Sequence, residues 1–467
     1  MKTALFLQEL QFSAFPRLRG KAGMGVNSLL GLRMSGVRLS TVMYLGKLNS
    51  IPLRGACPAI HFALSCNLKL QPSNCKMITR SSISTLRRLA RGFPVVAITG
   101  PRQSGKTMLA RAIFTGKPYI CLEDPEEREF ADTDPRGFLA RFPDGAVFDE
   151  AQRCPALFSY LQGAVDKRRR MGDFILTGSQ QFGLMSNIAQ SLAGRAGLLQ
   201  LLPFSLAELK GGEVFPGSLD DALFTGGYPP LYDRSVLPSD WFANYTSTYL
   251  ERDVRQLLAV RDLSLFQRFL KMCAARSGQL LNLSSLAADC GISHVTAREW
   301  LTVLEASYIV FLLRPFHLNS GHRNFGKRLV KMPKLYFFDT GLVAYLTGIR
   351  DAASLSTHAL RGALFENMVV AEFVKHEFNA GRSAELYFWR DSAGHEVDLL
   401  IPREGRLQPV EIKSGATFSG DWIAPLRKLS ALLGDEALPP WVIFGGDAKY
   451  QREEYGVLGW KGLAEER

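Results

Sequence analysis

Eight consecutive residues, Gly100-Pro101-Arg102-Gln103-Ser104-Gly105-Lys106-Thr107, match G-x-x-x-x-G-K-[ST] at every fixed position. Residues of these types at this spacing suit the phosphates of a nucleoside triphosphate, ATP being the expected one. Gly100 and Gly105 let backbone N–H groups turn toward phosphate oxygens. Lys106 can reach the β- and γ-phosphates, and the Thr107 hydroxyl can bind magnesium. A helix starting near Gly105 would add the positive end of its dipole. Asp149, which closes the apolar run 146–148, is a second expected magnesium ligand. Glu150 follows directly and is expected to polarise the attacking water as a general base. Ser179 and Gln180 end another apolar run, 174–177. They either contact the γ-phosphate or the water, or belong to an ordinary turn. Arg195 could act as an arginine finger on the γ-phosphate of its own or a neighbouring subunit, with a surface salt bridge as the competing explanation.

These groups need a scaffold. The run Val95-Val96-Ala97-Ile98-Thr99 before the loop reads as a strand buried on both faces. A helix through 108–114 follows the loop. Further strands are expected at 119–122, 146–148, 174–177 and 198–202, with helical patterns between them, including 155–170. Such alternation implies a parallel sheet with right-handed crossovers. The 106-to-149 spacing leaves room for an additional strand, which would make 174–177 the neighbour of the loop strand. Pro203 is expected to end the sheet.

The remaining composition is ordinary for a globular chain: 46% hydrophobic and 21% charged over 467 residues, enough for two or three domains. The net charge of +12 is unevenly placed. Residues 1–76 hold ten Lys and Arg against one acid, Glu9, whereas the rest is close to balanced. Charge alone therefore does not argue for nucleic acid. The acid-poor first 76 residues read either as a targeting segment or as the product of an early start, with a functional protein beginning near Met77. The early start is the preferred expectation, and a disordered tail follows from either. Seven cysteines without a Cys-x-x-Cys pair suggest a reducing, cytoplasmic setting. No apolar run is long enough to span a membrane.

Taken together, Gly100–Thr107, Phe148–Gln152, Leu176-Thr177-Gly178-Ser179, Leu192–Arg195, Tyr249-Leu250-Glu251-Arg252-Asp253, Phe338-Asp339-Thr340-Gly341-Leu342 and Val410-Glu411-Ile412-Lys413 are specific. A chain carrying them resembles the prokaryotic AAA-type P-loop ATPases with a C-terminal domain of unknown function. The resemblance covers about 78–430. It implies an α/β fold: a P-loop NTPase parallel sheet with a helical lid, a winged-helix-like module, and an α/β restriction-endonuclease-like domain. The expected divisions are 1–76, an extension; 77–202, the ATPase core; 203–265, the lid; 266–345, the winged-helix-like module; and 346–467, the nuclease-like domain.

Residues 284–305 read as helix–turn–helix, with Gly291 at the turn and Ser293 capping the second helix. That helix is expected to bury Val295, Trp300, Leu301 and Leu304 and to present Thr296, Arg298 and Glu299 outward. It would enter a DNA groove or serve as a protein–protein spacer. Resemblance to the nuclease-like core implies a second magnesium site built from Glu366, Asp398, Glu411 and Lys413. Alternation places Glu411 and Lys413 on one face of a strand, with Ile412 in the core. The sequence thus supports an ATPase switch acting on a DNA or protein partner, perhaps as a homo-oligomer. An ATP-gated nuclease and a nucleotide-sensing module with little turnover are the alternatives.

Overall fold

The computed structural model describes residues 32–34, 37–39, 77–179, 181–250, 262–316 and 331–465. Leu32–Met34 and Val37–Leu39 form a short antiparallel pair within the N-terminal unit. Residues from 74 onward form the other unit, to which everything below refers.

Its first sheet holds five parallel strands: β1 (Val95–Thr99), β2 (Tyr119–Cys121), β3 (Ala146–Asp149), β4 (Phe174–Gly178) and β5 (Ala196–Gln200). Their spatial order is β2-β3-β4-β1-β5. The extra strand β4 separates the loop strand β1 from the Asp149 strand β3, as the spacing requires. Alternation along the central strands fills two cores. Val95, Ala97, Ala146, Phe148, Phe174 and Leu176 pack on one face; Val96, Ile98, Val147 and Ile175 pack on the other. Helices Lys106–Ile113 and Leu157–Arg168 lie among the crossovers.

The second sheet contains β6 (Val310–Pro315), β7 (Lys334–Phe337), β8 (Tyr387–Arg390), β9 (Glu396–Arg403), β10 (Arg406–Lys413), β11 (Trp441–Phe444), β12 (Lys449–Gln451) and β13 (Gly456–Gly459). Its order is β12-β13-β11-β10-β9-β8-β6-β7, with mixed directions. Strands from both sides of the expected division at 345/346 share this sheet. Helices Leu263–Ala275, Leu283–Cys290 and His294–Ala306 come in the expected order, but the hairpin after them does not stand apart. Strand β6 pairs in parallel with β8, so the hairpin completes the C-terminal sheet. The physical reason is the open edge of β8, whose backbone groups need partners. One apolar core runs from Leu202 through the helices and hairpin to Leu463. The second core, under Leu426 and Leu429, covers the sheet's other face.

In the helix–turn–helix, Gly291 adopts φ +70° and the Ser293 hydroxyl accepts from the Thr296 N–H at 3.0 Å. Trp300, Leu301 and Leu304 are buried, but Val295 is exposed, contrary to expectation. Val295 stands on the first turn, before the helix reaches the core, and Ala297 takes the inward position instead. Arg298 and Glu299 face solvent. Of the 249–253 motif, 251–253 lie outside the described residues.

A buried carboxylate joins the start of this unit to its C-terminal half. Glu208 accepts from the Ser81 N–H at 2.7 Å and the Ser205 N–H at 3.0 Å, and it pairs with Arg80 at 3.3 Å. Both Arg80 and Glu208 are buried. Truncating one member of such a pair leaves the other charge uncompensated. Glu208→Ala is therefore expected to destabilise the protein by about 3–5 kcal/mol in urea unfolding. A loss below about 1 kcal/mol would show that the pair is not a tie between the halves.

Candidate functional site

Strand β1 stops at Thr99 because the next residue must turn away. Gly100 has φ +146°, and a Cβ there would lie 2.1 Å from the Leu201 carbonyl oxygen. That carbonyl belongs to the residue whose N–H bonds Thr99 at 2.8 Å. Gly105 takes φ +92° at the N-cap of Lys106–Ile113, and Gln103 is also left-handed. This geometry turns loop N–H groups inward, making a concavity for an anion. The Lys106 ammonium crosses the loop, donating to the Gly100 carbonyl at 3.0 Å and the Pro101 carbonyl at 2.7 Å. Ser104 is fully buried, and its hydroxyl has no hydrogen-bond partner among the described residues. The Gln103 side-chain oxygen accepts from the Trp241 indole N–H at 3.2 Å, so helix Pro238–Tyr245 touches the loop. Pro101 is buried, and Arg102 is half-buried beside it.

Asp149 ends β3 with its carboxylate at the centre of three hydroxyls. Thr107 donates to its two oxygens at 3.1 and 2.9 Å, Tyr119 donates at 2.7 Å, and Thr177 donates to Oδ1. The register explains the convergence. Cys121 pairs with Asp149, and Phe148 pairs with Leu176, which brings Thr177 alongside. Burial, and then the bond to Asp149, hold the Tyr119 phenol protonated well above its ordinary range. Glu150 turns out of the strand at φ +53°, a conformation that costs a non-glycine residue roughly 1 kcal/mol or more. The Ser179 hydroxyl donates to Glu150 Oε2 at 3.0 Å, and the Gln152 amide donates to the same oxygen. Gln180 lies outside the described residues.

Arg195 is far from the loop of its own chain. The Val95 N–H donates to the Arg195 carbonyl at 3.2 Å, placing Arg195 at the amino end of β1, whereas the loop leaves the carboxyl end. The strand separates the two by about 13 Å. Its guanidinium grips Asp166 at two points, 2.6 and 2.9 Å. The expectation of a finger within one subunit is corrected, because a five-residue strand lies between that arginine and the phosphate loop.

The second cluster does assemble. Glu366, from helix Arg361–Asn379, meets Asp398 of β9 and Glu411 and Lys413 of β10. The Ile412 N–H donates to Asp398 Oδ2 at 2.8 Å, and Lys413 lies 3.6 Å from the same oxygen. Lys413 also pairs with Glu411. Sequence reasoning missed a second lysine here. Lys334 of β7, with a side chain only 3% exposed, pairs with Glu366 at 2.8 Å and with Glu396, and approaches Asp398 at 3.9 Å. Tyr336, two residues on and also buried, donates to Glu366 at 2.5 Å. The available signal was Lys334-Leu335-Tyr336, in which a strand places both polar residues on one face.

A phosphate loop, an Asp-Glu pair at the end of β3 and a strand inserted between them define an AAA-type P-loop ATPase domain. Residues 92–210 match the AAA domain family, 217–353 match a domain of unknown function (DUF8612), and 361–461 match a second domain of unknown function (DUF4143). The chain belongs to the family of bacterial AAA ATPases that carry these C-terminal domains. Uncharacterized proteins of Mycobacterium tuberculosis and Mycobacterium bovis are each 32% identical over 403 residues, covering 84% of this chain and 87% of the relative. Among solved structures, the Walker-type ATPase PABY2304 of Pyrococcus abyssi is 15% identical, over 57% of this chain and 94% of that one, with a TM-score of 0.38. RuvB of Thermotoga maritima is 18% identical over 50% and 86%, with a TM-score of 0.24. Both likenesses are too distant to add to the strand order. No helix among the described residues is long and apolar enough to cross a membrane.

Burial, and then the neighbouring Asp398, push the Glu411 carboxyl up to about 8 despite the opposing pull of Lys413. Its folded value exceeds the unfolded one, so the folded protein holds this proton more tightly. Stability contributed by the proton is therefore lost as pH rises from the usual carboxylate range to about 8. Glu411→Gln is expected to gain stability relative to the parent between pH 5 and pH 8.5 in thermal unfolding, values chosen to bracket that window. An identical difference at both pH values would contradict the shift.

Proposed function

We propose that this protein hydrolyses ATP with magnesium and uses the cycle to switch or remodel a partner. The observation that carries this reading is the Asp149-Glu150 pair, held by hydroxyls at the mouth of the phosphate loop. The chain fits the group it is expected to bind. The buried Ser104 hydroxyl lacks a partner, and Thr107 and Asp149 already face each other at 2.9 Å. Bound magnesium would neutralise charge on the β- and γ-phosphate oxygens. Thr107 and Asp149 are the residues proposed to hold it. Backbone N–H groups of Gly100, Pro101, Arg102, Gln103, Ser104 and Gly105 would line the phosphates, with Lys106 swinging from the Gly100 and Pro101 carbonyls to the β/γ oxygens. Glu150 is the proposed general base. Ser179 and Gln152 fix the carboxylate oxygen that would take the proton of the attacking water. Arg195 has a route to a γ-phosphate only in a neighbouring subunit of a homo-oligomer.

The Trp241–Gln103 bond and the Tyr308 hydroxyl, 2.8 Å from the Thr99 hydroxyl, support transmission to the C-terminal half. Both contacts bear on the residues that bracket the phosphates. The partner that responds is proposed to be a protein or DNA. An exposed Arg298 favours DNA, and its neighbour Glu299 opposes it. Gating of a nuclease is the second reading, favoured by the meeting of Glu366, Asp398, Glu411 and Lys413.

Lys106→Ala is expected to abolish nucleotide binding or hydrolysis, measured as phosphate release with magnesium and ATP. Undiminished release would refute the assignment of the loop. Glu150→Gln should keep ATP binding yet slow turnover at least about a hundredfold, the scale of a lost general base. Turnover at the parental rate would mean that another group activates the water.

A further inference from the structure

A divalent ion is what a restriction-endonuclease-like acidic cluster would be expected to hold. Hard cations need several oxygen ligands free to turn toward one point. In this protein the oxygens of Glu366, Glu396 and Asp398 already turn toward a point, and the Lys334 ammonium occupies it. Among the described residues no group of acids, histidines or cysteines is arranged to hold a metal. The carboxylates are therefore compensated from within the chain.

We propose that Lys334 is a built-in cation standing in the place of a divalent ion, which makes the carboxylate cluster of the C-terminal sheet a permanent, metal-free ionic centre.

Three observations carry this. First, Lys334 is no surface side chain that folds in by chance. It is nearly fully buried, and its ammonium lies 5.5 Å from the centre of the Phe388 ring, so little water can reach it. Second, β7 is held along both edges and cannot easily carry the lysine away. On one side it pairs with β6, Leu312 opposite Leu335 and Leu313 opposite Lys334. On the other, the Gly278 N–H donates to the Leu335 carbonyl at 2.7 Å, and the Leu335 N–H donates to the Gln279 carbonyl at 3.1 Å. The end of the strand is stitched to helix Arg361–Asn379 by Asn367, which is fully buried. Its oxygen accepts from the Phe337 N–H at 2.7 Å, and its amide donates to the Phe337 carbonyl at 2.8 Å. Third, three cations, Lys334, Arg390 and Lys413, face the four carboxylates Glu366, Glu396, Asp398 and Glu411. Burial alone would push the Lys334 ammonium down, but Glu366, Asp398 and Glu396 together outweigh it and hold the proton firmly. Arg390 supplies a further cation to Glu396 at 2.9 Å, and Lys413 supplies one to Asp398 and Glu411. Among the described residues of this cluster, Glu411 Oε2 is the one buried carboxylate oxygen without a hydrogen-bond partner, and one such oxygen does not make a divalent site.

The cluster would then not supply a divalent ion for cutting DNA. This inference opposes the nuclease reading and does not rest on ATP hydrolysis, so each can fail without the other.

The test is a gain of function. Full-length parent, Lys334→Met, and Lys334→Met combined with Glu366→Gln are titrated with Mn2+ in the absence of nucleotide. Bound ion is read by electron paramagnetic resonance and thermal midpoints with and without Mn2+. Phosphate release is measured on the same samples as an independent check of the phosphate loop. The expected result is one Mn2+ gained on Lys334→Met, with an ion-dependent rise in its midpoint, and loss of both in the double variant. A folded Lys334→Met that gains no ion would overturn the proposal. So would a parent that binds an ion which Asp398→Asn abolishes. That last comparison also decides the matter if Lys334→Met does not fold: the same parental binding in the parent and Asp398→Asn supports the proposal, and its loss in Asp398→Asn overturns it.

Discussion

The Asp149 carboxylate is the point on which the ATPase half is built. It gathers hydroxyls from the loop helix, from β2 and from β4, so four separate segments must be in register before it is satisfied. A buried carboxylate without those donors would be costly, and this cost enforces the strand order. The same convergence fixes the position of Thr107 relative to the end of β3. The loop and the Asp-Glu pair are thus a single preorganised unit, with geometry set by the sheet and not by the loop alone.

The C-terminal half attaches to that unit through buried polar contacts more than through a hinge. Glu208 binds the start of the ATPase unit, and Glu372 accepts from the Leu206 N–H at 2.7 Å while pairing with Lys375 at 2.8 Å. Lys375 also donates to the Phe204 carbonyl at 2.9 Å. The bonds to Leu206 and Phe204 tie helix Arg361–Asn379 to the segment leaving β5. Tyr308, left-handed at φ +56°, reaches back to Thr99 and to Gln200. These bonds join the end of β1 and β5 to the C-terminal half.

Two lysines in this chain illustrate how the environment decides the role. Lys106 donates to the backbone carbonyls of Gly100 and Pro101, groups that under the proposed function it would exchange for phosphate oxygens. Lys334 lies among carboxylates with no competing ligand, inside a strand bonded on both edges. The first position suits a ligand-dependent cation and the second suits a fixed one. The class of a sheet says nothing about this difference, which depends on a residue supplied by a different segment.

Much of the ATPase site was legible because its residues are close in sequence and their spacing carries the chemistry. The loop fits only one backbone path, and Val95–Thr99, 146–148 and 174–177 could be read as strands because unbroken apolar runs of that length suit a sheet covered on both faces. The cluster of Glu366, Asp398, Glu411 and Lys413 was expected only from the family resemblance, strand alternation around Ile412 placing no more than Glu411 and Lys413 on one face. Long-range register was not legible. Nothing local to Tyr119 or Thr177 announces a bond to Asp149, and nothing local to Arg195 places it at the wrong end of β1. Nor does the hairpin sequence reveal that β6 pairs with β8, or that Lys334 enters a cluster whose other members begin thirty-two residues later, at Glu366. By itself the sequence determined the phosphate loop, the Asp-Glu pair and the parallel sheet, because these follow from residue types and local periodicity. Which polar groups meet inside the molecule was decided only by the tertiary structure. Those meetings depend on strand order and edge pairing between segments far apart in the chain, where burial forces each charge to find a partner.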